Sequence, residues 1–324
     1  MAREPDIFTL VADIGGTNTR CALARGRTIL PETVRRYRNA DYPGLESVLR
    51  AFIAEEDDVD CAGACVAAAG PVHEGRATMT NLDWTIDRDT LIRATRAERV
   101  SILNDLQAQG HALDHIAAEN LQTVIPGPAP APGAAKLVIG IGTGFNAAPV
   151  YDTGAGRYVP PAEAGHANLP IRTEAELRLC KFVETAHGFP AVEDVLSGRG
   201  LERVYRWLGH EAGDPRELSG RAIIAALTEG SDPRAEEAVR VFIRMLGTVA
   251  GNLALQTLPF GGVYLIGGMA RAISLWYKPF DFDESFREKG RFAGFMSNFA
   301  VHVVEDDYAA LVGCAAHLAA LAEQ

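Results

Sequence analysis

Apolar and polar positions alternate with two rhythms along this chain. In the first third, apolar runs of strand length dominate. "IFTLVAD" (7–13) and "RCALA" (20–24) flank a glycine-rich turn, and "TVRRYRN" (33–39) adds a candidate third strand. "PGLESVLRAFIAEE" (43–56) then changes period: proline near its start and apolar residues at helical spacing predict an amphipathic helix. "CAGACVAAAG" (61–70) and "RVSILND" (99–105) read as short buried strands, and "LQAQGHALDHIAAE" (106–119) behind the second reads as a helix. Strand and helix in alternation predict an α/β sheet.

The only Pro/Gly/Ala-rich run, "IPGPAPAPGAAK" (125–136), predicts a loop or linker. "KLVIGIGTGFNAAPVY" (136–151) follows it and repeats the opening pattern. Leu10 to Thr17 and Leu137 to Gly144 both read as an apolar strand, a glycine/threonine turn and a second strand. A duplicated architecture follows, with two turns that could face each other. Residues 173–258 are predicted to be mostly helical, in four segments: 173–186, 192–208, 219–230 and 233–258. "GGVYLIGGMA" (261–270) predicts a buried strand ending in Gly267-Gly268. "DDYAALVGCAAHLAALAEQ" (306–324) predicts an apolar, internally packed helix capped by Asp306 or Asp307.

Length and charge narrow the reading. At 324 residues two domains are the better expectation, and 48% hydrophobic residues supply enough apolar surface for sizeable cores. A net charge of −11 argues against nucleic acid and against an anionic membrane face. Any phosphate-bearing ligand must then be handled locally, by backbone amides and a divalent cation. No segment reads as membrane-spanning, and "MAREPDIF" lacks the apolar stretch of a secretory signal. Cys21, Cys61, Cys65, Cys180 and Cys314 are scattered, with no His or further Cys at ligand spacing from the Cys61/Cys65 pair, so no zinc site and a reducing cytoplasm are expected.

The candidate chemistry lies at strand ends. "VADIGGTNTR" (11–20) places Asp13 after an apolar run and leaves Gly15, Gly16 and Thr17 almost without side chains. Such a turn is ordinary hairpin chemistry, and it also bares N–H groups for an anion, with a carboxylate beside them for a metal. Gly142-Thr143-Gly144 and Gly267-Gly268 are two further turns of this kind. No Walker-type P-loop, dinucleotide fingerprint or protein-kinase set is present. Asn104-Asp105, between a strand and a helix, reads as an N-cap and equally as a carboxylate poised for general base work. Glu163 and His166 share a small-residue loop, "PPAEAGHANLP". They suit sugar hydroxyls, a metal pair lacking a third ligand, or an exposed polar loop. Glu193 reads locally as a first-turn helix acid.

"VADIGGTNTR", "MTNLDW", "ILND", "IGTGFNAA", "AEAGH", "VLSGRGL", "GGVYLIGGM" and "EKGRF" stand in the order found in bacterial ATP-dependent glucokinases of the hexokinase-like, actin-related superfamily. The chain resembles that family nearly end to end, and it lacks the Cys-rich zinc segment of the related repressor/sugar-kinase family. The resemblance implies an α/β fold of two ribonuclease H-like (actin-like ATPase) domains around a hinged cleft. The small domain would be 1–115 completed by the terminal helix 306–324, and the large one 116–305. It implies ATP and Mg²⁺ as cofactors, glucose phosphorylated at its 6-hydroxyl, and a homodimer. Asp105 becomes the general base, and Asn104, Glu163, His166 and Glu193 the sugar partners. Ala12, Asp13, Ile14, Gly15, Gly16 and Thr17 would form one phosphate jaw, with Asp13 holding Mg²⁺ through water. Gly142, Thr143 and Gly144 would form the other, and Gly267 and Gly268 would line the adenosine. Three places depart from the family pattern: Ala12 and the alanines of "AEAGH" replace glycine, and Phe145-Asn146 stand where small residues are usual. This added bulk bears on the shape of the sugar pocket. The alternatives are a kinase of another hexose or amino sugar, or a catalytically silent sensor.

Overall fold

In a computed structural model of the chain, residues 7–79, 82–154 and 156–323 are described. Met1 to Asp6, and Thr80 and Asn81 of "MTNLDW", lie outside them. The chain divides into two compact units, 1–118 with 154–161 and 306–324, and 119–153 with 162–305.

The first unit is built on the opening hairpin. Strands β1 (Phe8–Ile14) and β2 (Asn18–Arg25) pair antiparallel, with β3 (Thr28–Ile29) and β4 (Arg35–Arg38) both on β2. Helix α1 (Leu45–Glu55) precedes β5 (Cys61–Ala68). After β6 (Val72–His73), β7 (Arg76–Thr78), β8 (Thr85–Asp87) and α2 (Arg88–Thr95) comes β9 (Arg99–Asn104), leading directly into α3 (Asp105–Ala112). The sheet order is β3-β2-β1-β5-β9, with β1, β5 and β9 parallel.

Period-2 alternation sorts β1 between two cores. Leu10, Ala12 and Ile14 pack with Leu45, Leu49 and Phe52 of α1 and Leu91 of α2. Val11 faces the other way, into a core with Ala108 of α3 and Leu311, Cys314 and Leu318 of helix α11 (Ala309–Ala322). Helix α11 is therefore internally packed, and at Gly313 it approaches α3 so closely that a Cβ would overlap the Ala108 carbonyl. The expected aspartate cap is not made. The residue before the helix is Tyr308, no side chain caps the first turn, and Asp306 Oδ1 instead accepts from the Tyr308 amide at 2.7 Å. The helix after β9 is also shorter than expected. Beyond 3-10 residues Leu113–His115, Ile116 turns extended and is buried.

In the second unit, β10 (Leu121–Ile125) leads through the Pro/Gly/Ala run, a loop within this unit, to the hairpin β11 (Lys136–Ile141) and β12 (Phe145–Thr153). A short strand β13 (Gly156–Tyr158) belongs to the first unit's segment 154–161. The helices are α4 (Glu174–His187), α5 (Val192–Val195), α6 (Gly198–Glu211), α7 (Gly220–Glu229) and α8 (Pro233–Thr257). Then come β14 (Val263–Ile266), α9 (Gly268–Ala272), α10 (Phe282–Arg287) and β15 (Val301–Val304). The sheet runs β10-β15-β14-β11-β12, with β11, β14 and β15 parallel. Both sheets thus set an antiparallel hairpin beside two parallel strands, which is the duplication visible in the sequence.

The segment 192–208, expected as one helix, is two. Ser197 breaks it, because its hydroxyl accepts from Gly200 N (3.0 Å) and caps α6, while the Gly198 amide leaves the helix to bond Gly142 O (2.8 Å). The expectation that no segment reaches membrane-spanning size is also corrected. By length and composition α8 does, yet 67% of its apolar window is buried inside the protein. It is a core helix, and Gly247 and Gly251 let α10 approach it closely enough that a Cβ at either would overlap α10 backbone oxygens.

The "EKGRF" stretch ties α10 to its surroundings. Glu288 takes the Arg172 guanidinium in a two-pronged pair, and Lys289 Nζ donates to Thr248 O of α8 at 3.0 Å. Lys289 is half-buried, and burial lowers its pKa from 10.5 to about 8, with nearby Arg172 adding to the fall and Glu288 opposing it. Between about 8 and 10.5 the unfolded chain keeps a proton that the folded chain has released, so this lysine's contribution to stability rises with pH. Urea unfolding at about pH 7 and about pH 10 checks this. The stability of wild type relative to Lys289→Met should improve at the higher pH, and a flat or falling difference would contradict it.

Candidate active site

Parallel register places the first unit's candidate groups together. Ile14 is level with Ala68, and Ala68 with Asn104, at the carboxyl ends of β1, β5 and β9. The turn after β1 and the Asn104-Asp105 corner therefore share one sheet end, two strand spacings or about 10 Å apart. The side chains of Ala12 and Ile14 are fully buried core, whereas Gly16 and Thr17 are exposed at the crest of the turn. Asp13 lies between them on the face that α3 and α11 cover. Burial raises its carboxyl above the ordinary range, and Arg20, its cross-strand partner, pulls the other way.

Asn39 fixes the shape of this turn. It is 2% exposed. Its Nδ2 donates to Gly15 O (2.8 Å), its amide to Thr17 O (2.9 Å), and its Oδ1 accepts from Thr19 Oγ1 (2.8 Å). The carbonyls are thus held from behind.

At the other corner, Asn104 caps α3 in a reciprocal box with Gln107: Oδ1 accepts from Gln107 N (2.7 Å), and Asn104 N donates to Gln107 Oε1 (3.0 Å). Asp105 is the first helical residue, half-buried, with Oδ1 accepting from the Leu106 amide at 2.9 Å. The cap occupies the asparagine, and the aspartate stands at the strand end.

The second unit gathers the rest. Glu193, in the first turn of α5, accepts from the Phe145 amide at 2.9 Å, so it is anchored on the turn 142–144. A Cβ at Gly144 would stand 2.4 Å from Glu193 Oε2. The 3-10 turn Ala164–His166 lies against the same point, because a Cβ at Gly165 would overlap the Phe145 carbonyl. Glu163 and His166 are both exposed, with His166 Nε2 and Glu163 Oε2 4.0 Å apart. Their loop is tied to α5 through Val192 N to Ala167 O (2.9 Å). Gly267, at φ +100°, packs on Ile141 so that a Cβ would sit 2.4 Å from its carbonyl, which brings the third turn beside the second. Among the described residues no group of three or more His, Cys, Asp or Glu could enclose a metal ion.

The sequence and its fold are matched by known proteins. The family model described as Glucokinase fits residues 10–321, nearly the whole chain. The chain belongs to the glucokinase family. A glucokinase of Saccharophagus degradans is 32% identical over 313 residues, covering 95% of this chain and 97% of that protein. The structure of a glucokinase from an Antarctic psychrotroph superposes with a TM-score of 0.86 at 27% identity, covering 97% of this chain and 99% of that one. A ROK family glucokinase from Streptomyces griseus, solved with glucose and AMPPNP, has a TM-score of 0.66 at 22% identity, covering 96% and 98%. The fold is that of the glucokinases, with two actin-like ATPase-type α/β domains.

Three groups that shape this glucokinase-family site carry no local signal in the sequence. Asn39 reaches its turn from 24 residues away, Asn146 reaches the 162–164 loop from 18, and Glu193 reaches Phe145 from 48. Tertiary contact alone reveals Asn39 and the role of Asn146, whereas Glu193 was named beforehand by the family resemblance and not by its local sequence.

The two glycines of the second turn make a direct comparison. Gly144→Ala should cost about 1–3 kcal/mol by driving Glu193 off the Phe145 amide, whereas Gly142→Ala, with open space at its Cβ, should cost under about 0.5 kcal/mol. Urea unfolding of both variants measures this, and equal costs would contradict the contact.

Proposed function

We propose that this chain transfers the γ-phosphoryl group of ATP to the 6-hydroxyl of glucose, acting in the glycolytic cytoplasm as a homodimer with Asp105 as general base. Family membership favours the enzyme over a silent sensor and glucose over other hexoses. The observation that carries the residue assignment is the register that sets the Asp13 turn and Asp105 at one sheet end. Five free, buried cysteines suit a reducing compartment.

Asp105 accepts the 6-hydroxyl proton as that oxygen bonds to the γ-phosphorus and the bond to the ADP oxygen breaks. The Leu106 amide holds one carboxylate oxygen of this residue in place. Asn104 spends Oδ1 on the helix cap and contributes Nδ2 to a sugar oxygen. Glu163, His166 and Glu193 take sugar hydroxyls, the carboxylates as acceptors and the imidazole in either role. Gly16 and Thr17, and Thr143 and Gly144, present amides to phosphate, while the Gly15 and Gly142 amides close their turns on Asn18 O (3.0 Å) and Gly144 O (2.9 Å), and Gly267-Gly268 line the adenosine.

Asp13 fits Mg²⁺. It is a hard oxygen donor whose negative charge burial disfavours, and a cation would offset that cost. One carboxylate acting through water suffices when phosphates and further waters complete the shell, as Mg²⁺ prefers. When bound, Mg²⁺ neutralises charge on the phosphate oxygens. Asp13 would hold it through water, and Arg20, its cross-strand partner, balances that carboxylate.

A coupled ADP-release assay tests the proposal. Asp105→Ala should lower kcat with glucose by about 10²–10⁴-fold. Across glucose, mannose, fructose and glucosamine, wild type should be fastest on glucose. Unchanged turnover in the variant would remove the base, and a faster hexose would change the substrate.

A further inference from the structure

We infer that Asn146 is a positioning residue for sugar binding, because its side chain brackets Glu163 from both sides. Its Nδ2 donates to Ala162 O (2.5 Å) and its Oδ1 accepts from Ala164 N (2.9 Å), the residues immediately before and after Glu163. The same Oδ1 accepts from Ala147 N (2.8 Å), which locks the asparagine rotamer onto its own strand. Asn146 lies opposite Gly140 in the β11–β12 hairpin, next to Phe145, whose amide holds Glu193. One rigid strand end therefore fixes two carboxylates: Glu193 through the Phe145 main chain, and Glu163 through the Asn146 side chain.

Two departures from the family pattern thus meet in space. Asn146 stands where small residues are usual, and its partners are the alanines that replace glycine in "AEAGH". Glycine around Glu163 would leave its backbone free to sample many conformations. Alanine narrows that freedom, and the amide clamp removes more of it. Glu163 is itself exposed, so its backbone must be set by neighbours rather than by burial. Ordering the loop before the sugar arrives spares the ligand the cost of ordering it, which strengthens binding without touching the phosphoryl step.

The inference rests on Glu163 meeting a sugar hydroxyl, as proposed above, and the test separates the two. Asn146→Ala removes both loop bonds, and Asn146→Gly restores the small residue usual in the family, so at least one should fold. Each should raise KM for glucose about tenfold, the scale of two lost hydrogen bonds, while KM for Mg-ATP stays within about twofold. Glu163→Gln should raise the glucose KM at least as much. If Glu163→Gln raises it and neither Asn146 variant does, the positioning role is wrong and the sugar contact stands. If the Asn146 variants raise both KM values alike, with a lowered unfolding temperature, the residue is merely structural and the inference fails. If Glu163→Gln leaves the glucose KM unchanged, both fall.

Discussion

The bond from the Phe145 amide to the Glu193 carboxylate is the contact on which the second unit's candidate site is built. It fastens the acidic first turn of α5 to the end of the β11–β12 hairpin, and it explains the local sequence. Gly144 must lack a side chain because the carboxylate occupies that space, and Gly165 must lack one because the Glu163–His166 turn presses on the Phe145 carbonyl. The Gly142 carbonyl then receives the Gly198 amide, which sets the start of α6 against the same turn. A single hairpin end thus organises an acid, a loop and a helix terminus.

The first unit solves the same problem by register. Parallel pairing levels Ile14, Ala68 and Asn104, so whatever follows each strand emerges at one edge. Asn39 braces the glycine turn there, and the α3 capping box braces the aspartate corner. In both units flexible-looking, small-residue segments are held by buried or half-buried amides. Such side chains can donate and accept at once, so Asn39 holds Gly15 O and Thr19 Oγ1, and Asn146 holds Ala162 O and Ala164 N, without adding charge to a chain already at −11. Of the groups proposed to meet substrate, Asp105 is half-buried and Glu163 and His166 are exposed, whereas Asn104, which caps α3, is buried.

Much of this was legible beforehand. The opening hairpin, β4, α1, β5, β9 and the second hairpin follow from apolar runs and glycine turns, because strand and helix periods are local properties. The ordered motifs carried the family as well. Less legible were the short strands β6, β7 and β8, too brief to show a period, and β10, whose partner β15 lies far along the chain. The break at Ser197 was hidden because helical periodicity continues through it. The aspartate cap of α11 failed because Asp306 bonds Tyr308, just outside the helix.

By itself, the sequence determined the α/β alternation, the duplicated hairpin and the residue types able to handle phosphate and sugar. Each is written in a window short enough for covalent geometry and solvent to dictate. Tertiary structure decided which of those residues act together. Glu193 was an ordinary helix acid until folding brought it to Phe145, and Asn39 and Asn146 were ordinary loop and strand residues until folding gave them carbonyls to hold. Hydrogen bonds across 18 to 48 residues depend on the packing of both sheets, and that packing is a property of the whole chain.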